Sequence, residues 1–121
     1  MTDQELMFFG KRPEAVKAYN VIRSFALNLE GVYLMVHKTQ ISFKARRQFL
    51  CVWHPPVKSA GDTAVIVALL LSHPLDATRV FSQSQTAPGR VTCHLLVPDA
   101  QNLNEELCGL IKEAYHFACR V

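Results

Sequence analysis

The sequence predicts an α+β domain, specifically a two-layer sandwich in which a four-stranded antiparallel sheet carries an N-terminal and a C-terminal helix on one face. Apolar residues recur at three- and four-residue steps near both ends of the chain, as in amphipathic helices. Between these ends, apolar residues alternate or form short runs, as in strands. Because the connections are short, neighbouring strands are expected to be antiparallel. The expected order is α-β-β-β-β-α.

Composition limits the class of protein. The chain has 121 residues, of which 50% are hydrophobic and 19% charged, which suits a single domain over residues 1–121 and excludes a disordered tail. The N-terminus is acidic and has no long apolar region, unlike a secretory signal. The longest apolar run, residues 64–71, is far shorter than the roughly 20 residues that cross a bilayer. We therefore expect a cytoplasmic protein without a membrane segment, its four cysteines reduced.

The first half of the chain predicts one helix and two strands. Residues 1–10 are expected to form an N-terminal arm, and a helix runs from Pro13 to about Leu29, with Gly31 as its C-terminal stop. Residues 32–43 are rich in β-branched and aromatic side chains and predict the first strand. Residues 44–47, three of which are basic, then form a turn. Residues 48–54 predict the second strand, which ends at Pro55 and Pro56 because proline cannot donate to a central ladder.

The second half predicts two strands and a helix. Residues 64–71 read as a buried strand, residues 72–89 as a polar and mobile loop, and residues 90–97 as a fourth strand with alternating apolar side chains. In the final helix, Asn102 stands three residues before Glu105, at the spacing of a capping box. Acidic residues lie in its first turn and Arg120 in its last, as the helix dipole favours.

The buried strand also raises the question of a partner. Residues 64–71 are apolar on both strand faces, whereas two helices cover only one face of an antiparallel sheet. The other face needs a second cover. Either the loop of residues 72–89 supplies it, or a homodimer buries it.

Basic residues are concentrated in the predicted hairpin. Residues 31–61 contain five Lys or Arg and no Asp or Glu. A period of two places Lys38, Gln40 and Ser42 on the polar side of the first strand, with Arg46 and Arg47 at the turn. Such ammonium, amide, hydroxyl and guanidinium donors bind anions. The pattern therefore predicts a phosphate-bearing ligand or nucleic acid on the open sheet face; the alternative is an ordinary solvated strand with a charged tip.

One histidine is also predicted to lie on this face, whereas the nearby aromatic residues are not. His94 joins the predicted site because its parity in the fourth strand points outward. Phe49, Cys51 and Trp53 share a parity that predicts core packing. Cys and His also occur in pairs three residues apart, at Cys51 and at the end of the final helix. Two ligands fall short of the four of a structural zinc site, so neither a metal nor a cofactor is expected.

No catalytic residues are predicted. Cys93 and His94 are adjacent and point to opposite faces of a strand, and no carboxylate in the nearby sequence orients the imidazole. Paired carboxylates, Gly-rich phosphate loops and zinc-protease helices are absent from the sequence. The leading hypothesis is a non-enzymatic binding or accessory module that holds an anionic ligand. The alternatives are a homodimeric interaction module and a small enzyme with an unrecognised site.

Three segments resemble a bacterial family known as domain of unknown function 5655. They are the opening ELMFFGKRPEA from Glu5, the central KTQISF from Lys38 followed by Phe49, and the closing NEEL from Asn104 with IKEA from Ile111. The resemblance runs over about residues 5–119. It implies a small α+β domain, found alone or attached to larger proteins that include some with nuclease-like parts. It supports the strand at the KTQISF segment and implies no reaction or ligand.

Overall fold

The computed structural model describes residues 1–10, 12–54, 64–76, 80–102 and 104–120. The predicted α+β class, the antiparallel sheet and the N- and C-terminal helices are confirmed, but the sheet has six strands rather than four. The helices are α1 (Asp3–Phe9), α2 (Pro13–Leu27) and α3 (Glu105–Arg120), and the strands are β1 (Tyr33–Val36), β2 (Ile41–Lys44), β3 (Gln48–Trp53), β4 (Val65–Leu71), β5 (Ser82–Ala87) and β6 (Arg90–Val97). The predicted strand end at Pro55 and Pro56, the connecting loop and Lys58 lie outside the described residues.

The first extra strand arises because the predicted strand of residues 32–43 is a hairpin. β1 and β2 pair antiparallel, with Val36 opposite Ile41, and His37 donates a backbone hydrogen bond of 2.8 Å to the carbonyl of Gln40. The turn between the strands contains no Gly, Pro, Asn or Asp, the residues that usually mark a turn in sequence. The prediction of one continuous strand was therefore wrong.

The second extra strand, β5, lies within the segment predicted to be a loop. Ser82–Ala87 pair with β6 at one edge of the sheet. The Gln83 side chain bonds both the amide and the carbonyl of Leu75, which ties the preceding segment to the strand. An edge strand needs no buried apolar face, so the polar sequence SQSQTA carries no alternating pattern. The segment that was one of two predicted covers for the sheet thus extends the sheet at its edge.

The N-terminal arm contains a helix. In α1, the Thr2 hydroxyl accepts a bond from the amide of Glu5, and the Glu5 carboxylate accepts one from the amide of Thr2, each at 3.2 Å. This capping box satisfies amides that would otherwise be unpaired at the helix start. Its sequence signature, a threonine three residues before a glutamate, was overlooked. α1 buries Glu5 and Phe9.

The two longer helices match their predictions except at the ends. α2 begins at Pro13, as predicted, and ends at Leu27 with Asn28 as its C-cap. Gly31 adopts φ 77° in the turn that leads to β1, a conformation that favours glycine. α3 begins at Glu105, and the cap is Asn104, whose side chain accepts from the amide of Leu107 at 3.0 Å. The prediction of Asn102 as the cap was wrong.

The sheet order is β1-β2-β3-β4-β6-β5, and all neighbouring strands are antiparallel. Alternate residues of the strands form the core together with α2 and α3. From the sheet these include Ile41, Phe43, Leu50, Val52, Val65, Val67, Leu69 and Leu71, and from the helices Ala18, Tyr19, Ile22, Ile111 and Ala114. Both helices therefore lie on one side of the sheet.

We call the opposite side the helix-free face, because no described helix packs on it. The strand register places on it Tyr33, Met35, Ser42, Lys44, Cys51, Trp53, Ile66, Ala68, Leu70, Thr92, His94, Leu96, Ser82 and Ser84. Among the described residues, no helix is long and apolar enough to cross a membrane.

Candidate functional site

A row of small side chains crosses the helix-free face. The strand register aligns Ser42 with Cys51, Cys51 with Ala68, and Ala68 with His94, on four successive strands. At about 4.8 Å between strands, the row spans roughly 14 Å. Ser42, Cys51 and Ala68 have short side chains and are at most 6% exposed, whereas Tyr33, Met35 and Leu96 on the same face are at least 39% exposed. The row therefore forms the floor of a shallow trough.

A β-bulge decides which residues of β3 reach this face. The pairing of β2 with β3 shifts between Phe43 and Lys44, so that Phe49 is an extra residue in β3. Phe49 and Leu50 both join the core, and Phe49 packs edge-on against Tyr115 of α3 with ring centroids 5.6 Å apart. Cys51 and Trp53 therefore point to the helix-free face. The prediction of core packing is confirmed for Phe49 and wrong for Trp53, while Cys51 is buried on the other side of the sheet.

Trp53 links two of the predicted site residues. Its indole N–H donates to Oε1 of Gln40 at 2.9 Å, and its ring lies 4.8 Å from that of His94, between centroids. Since β4 separates β3 from β6, the two rings lean toward each other above β4, beside Ala68. The small side chain of Ala68 leaves room for this contact. Gln40 also donates to the Ser42 hydroxyl at 3.3 Å.

His94, at the end of the row, has a buried ring nitrogen, Nδ1, without a hydrogen-bond partner among the described residues. A buried polar atom without a partner costs on the order of 1–3 kcal/mol. A ligand group that bonds to this nitrogen, or a bound water that does so, would recover part of this cost. The unpaired nitrogen thus makes His94 a candidate contact for a ligand that can reach it.

The other three predicted site residues lie apart from this group. Lys38 is exposed in the turn between β1 and β2, whereas Arg46 and Arg47 are exposed in the turn between β2 and β3, at the opposite end of β2. At about 3.3 Å per residue, Gln40 and Arg46 are separated by roughly 20 Å along the strand. None of the three basic residues forms an ion pair with a described residue. The structure therefore brings Gln40, Ser42 and His94 together and sets basic groups at both ends.

Cys51 and Ala68 of the row also line a small cavity of about 150 Å³, which Gln40, Ser42 and His94 do not line. Its lining includes Gln48, Cys51, Ala68, Leu70 and Thr92. Pockets that enclose a drug-sized ligand measure about 300–1,000 Å³. The cavity is therefore too small to enclose a ligand of that size, which would have to lie along the surface.

The sheet contains no acidic residue in any of its six strands; Lys44 and Arg90 are their only charged residues. Asp and Glu instead occur in the helices and connections. A bound anion would thus meet amide, hydroxyl and imidazole donors on this face without a carboxylate on the same strands to repel it.

Cys51 in the floor is not built as a nucleophile. Burial raises the pKa of its thiol to about 11, although a hydrogen bond with Ser42 and the charge of Lys44 act in the opposite direction. The thiol accepts a hydrogen bond from Nε2 of Gln48 at 2.7 Å. A thiol with so high a pKa is almost fully protonated at neutral pH. In the described part of the chain, no group of three or more His, Cys, Asp or Glu is arranged to hold a metal ion.

A second polar cluster lies beneath α1. The fully buried carboxylate of Glu5 accepts from the Tyr19 hydroxyl at 2.5 Å, and from Nε and Nη2 of Arg23 at 2.7 and 3.3 Å. Burial alone would raise the pKa of Glu5, but the bonds from Arg23, Tyr19 and Thr2 outweigh it and hold the pKa below its usual value. Because the carboxylate already has these partners, the cluster joins α1 to α2 rather than forming a second ligand site.

Comparison with known proteins gives a family and no activity. The model of the family DUF5655, described as a domain of unknown function, matches residues 5–118. No curated protein and no solved structure matches the chain.

Proposed function

The chain belongs to the DUF5655 family, and since that description carries no activity, we propose from the geometry of the site that the helix-free face binds a phosphate-bearing anion. In this proposal the protein is a binding or accessory module. Gln40, Ser42 and His94 contact the ligand, and Trp53 holds Gln40 and His94 in place. The observation that carries the proposal is a trough with an unpaired imidazole nitrogen, on strands without a single carboxylate.

The distances favour an extended ligand. A small anionic group held by Gln40, Ser42 and His94 would not reach the basic turns at both ends of β2, since Gln40 and Arg46 are roughly 20 Å apart along the strand. A mononucleotide would contact the trough alone. A single-stranded oligonucleotide would follow the strand from Lys38 toward Arg46 and Arg47, with its backbone near the cations and a base against Trp53. We therefore expect oligonucleotides to bind more tightly than mononucleotides.

The experiment uses Trp53, the only tryptophan in the chain, as a reporter inside the site. Its fluorescence is followed at low salt during titration with inorganic phosphate, a mononucleotide and a short single-stranded oligonucleotide. We expect saturable changes and a steep loss of oligonucleotide affinity as salt rises, because binding releases condensed counterions. Calorimetric titration of the same ligands gives affinities that do not depend on the ring environment.

Three variants separate the parts of the site. His94→Ala should weaken all ligands, whereas the double change of Arg46 and Arg47 to Ala should weaken only the oligonucleotide, by about tenfold or more. Lys112→Ala is the matched control, since it removes an exposed positive charge from α3 on the other side of the sheet. Absence of binding to every ligand at low salt would refute the proposal. An equal loss of affinity in the Lys112 variant would show that binding is only non-specific attraction.

A further inference from the structure

The two edges of the sheet differ in a way that bears on self-association. β5, at one edge, is polar, contains a bulge between Gln85 and Ala87, and is followed by Pro88. These features discourage further strand pairing. β1, at the other edge, has the sequence YLMV, contains no charge or proline, and pairs regularly with β2 along its whole length. It has no second strand neighbour among the described residues. An exposed, regular and apolar edge of this kind is a template for another strand.

Exposed apolar side chains are concentrated at the same edge. Eight large hydrophobic residues of the described chain are exposed, and five of them belong to β1 or to the N-terminal segment with α1: Met1, Leu6, Met7, Tyr33 and Met35. Met7 also borders a cavity with Val36 and His37, which places α1 beside the end of β1. The distribution favours an interface at β1 over one elsewhere on the sheet.

The hydrogen-bond pattern shows which backbone groups of β1 point outward. Opposed residues in an antiparallel ladder alternate between bonded and non-bonded pairs. Since His37 donates to its opposed residue Gln40, the amides of Tyr33 and Met35 also face β2. The amides and carbonyls of Leu34 and Val36 therefore face away from the sheet.

We propose that β1 pairs antiparallel with β1 of a second copy of this chain, around a two-fold axis at Met35. Opposed residues in a sheet point to the same face, so the axis must pass through a residue rather than between two residues. With the axis at Met35, the outward amide and carbonyl of Leu34 form hydrogen bonds with the carbonyl and amide of Val36 in the second copy. Every outward backbone group of these two residues then has a partner. An axis at Leu34 would oppose Val36 to Val32, whose amide already donates to Leu29.

Charge at the ends of β1 supports a second copy as the occupant. Glu30 precedes the strand, and His37 and Lys38 follow it, all with exposed side chains. Antiparallel pairing brings the acidic end of each strand toward the basic end of the other. The pairing also places Met35 against its own copy and Tyr33 opposite His37 on the helix-free face. The edge is thus complementary to itself in charge.

This interface differs from the one expected from sequence, in which a homodimer covers the apolar face of β4. On the helix-free face, Ile66 and Ala68 of β4 are only 1% and 6% exposed within a single chain. Trp53 and His94 meet above this part of the strand. β4 therefore leaves little apolar surface to bury, whereas Tyr33 and Met35 are 51% and 42% exposed.

The test measures mass by sedimentation velocity over a range of protein concentrations. Wild-type protein should dimerise at high micromolar concentration. Met35→Lys should weaken dimerisation by at least about tenfold, because it opposes two like charges across the axis. Ser84→Lys adds the same charge to the helix-free face at the β5 edge and should leave dimerisation unchanged. A mixture of Met35→Lys and Met35→Glu should restore a heterodimer. Met35 is exposed, so each variant is expected to fold.

A cross-link tests the register. Opposed residues of a non-bonded pair have Cα atoms about 4.5 Å apart, within the range of a disulfide. In a Cys119→Ser background, which removes the exposed native thiol, Met35→Cys should form a symmetric disulfide on mild oxidation, and Ser84→Cys should not. A wild-type protein that stays monomeric at high micromolar concentration would overturn the proposal. Equal weakening by both lysine variants, or a failure of the mixture to dimerise, would also overturn it.

Discussion

Replacing Glu5 by glutamine tests whether the buried cluster beneath α1 stabilises the fold. The substitution keeps the size of the side chain and removes its charge. The carboxylate accepts bonds from the amide and hydroxyl of Thr2, from Tyr19, and from two nitrogens of Arg23. In the variant, the amide NH₂ would face some of these donors, and Arg23 would lose its only ion pair among the described residues.

The expected loss follows from burial. Breaking a buried ion pair by removing one partner costs about 3–5 kcal/mol. The Arg23 side chain is 24% exposed and can regain some contact with water, so the lower end applies. We expect Glu5→Gln to lower the free energy of unfolding by about 3 kcal/mol, or the melting temperature by roughly 10 °C for a domain of this size. Chemical denaturation with urea measures the loss.

Glu14→Gln provides the matched control. Glu14 also lies in the first turn of a helix and pairs with a basic residue, Lys17, at 2.9 Å, but both side chains are more than half exposed. An exposed pair of this kind contributes only a few tenths of a kcal/mol. If Glu5→Gln costs less than about 1 kcal/mol, or no more than Glu14→Gln, the carboxylate does not hold α1 to α2 as the contacts indicate.

The pH dependence of the unfolding free energy tests whether Glu5 is ionised in the folded chain. The pKa of Glu5 is lower in the folded chain than its ordinary value of 4.5. Its contribution to stability is therefore complete above that ordinary value and is lost as pH falls through the lower folded value. The difference in unfolding free energy between wild type and Glu5→Gln should shrink as pH is lowered from about 6 to about 2.5. A constant difference would contradict an ionised Glu5.

Two further predictions concern thiols and a surface histidine. Burial raises the pKa of Cys51 to about 11, whereas Cys119 is exposed. Iodoacetamide should therefore alkylate Cys119 in the native protein and Cys51 only after unfolding, as measured by peptide mass spectrometry. Equal alkylation rates of the two thiols in the native protein would contradict the burial of Cys51. The carbonyl of Pro74 and the carboxylate of Glu113 raise the pKa of His73 above its usual 6.5. The ion pair between His73 and Glu113 therefore stabilises the fold fully below pH 6.5, and this stabilisation is lost as pH rises through the raised pKa of the folded state. Since both side chains are about half exposed, His73→Gln should cost a few tenths of a kcal/mol near pH 5.5 and nothing near pH 8.5, measured by urea denaturation; a cost that grows with pH would refute it.

Sequence reasoning located the elements that bury a periodic apolar surface. α2 and α3 were found because one side of each packs in the core, and β4 because its apolar run pairs with β3 and β6. The missed elements bury little. β5 is a polar edge strand, and α1 is a seven-residue helix whose mark in the sequence is a cap rather than an apolar stripe. Apolar periodicity is a signal of burial, so elements that bury little do not produce it.

The candidate site shows a second limit of prediction from sequence. Gln40, Ser42 and His94 were assigned to one face from strand parity, and the register places Ser42 and His94 in one row. Trp53 was assigned to the core because parity was carried through Phe49, where the bulge inserts a residue. A bulge reverses the facing of every later residue in its strand relative to the earlier ones, and nothing in the local sequence marked it. The residue that joins Gln40 to His94 was therefore missed.

The distribution of charge connects the two proposals. The basic segment was found as a stretch of chain, but the absence of acid extends to β4, β5 and β6 and so belongs to the whole sheet. The three helices together, in contrast, contain six acidic and four basic residues. A two-fold axis at Met35 would join two helix-free faces into one continuous surface, with Lys38 of each copy near the junction. Two troughs side by side, each between basic turns, would bind a long polyanion more tightly than one, because the second contact is intramolecular. An oligonucleotide long enough to reach both troughs should therefore lose affinity in Met35→Lys, despite the added positive charge, while a short one should not.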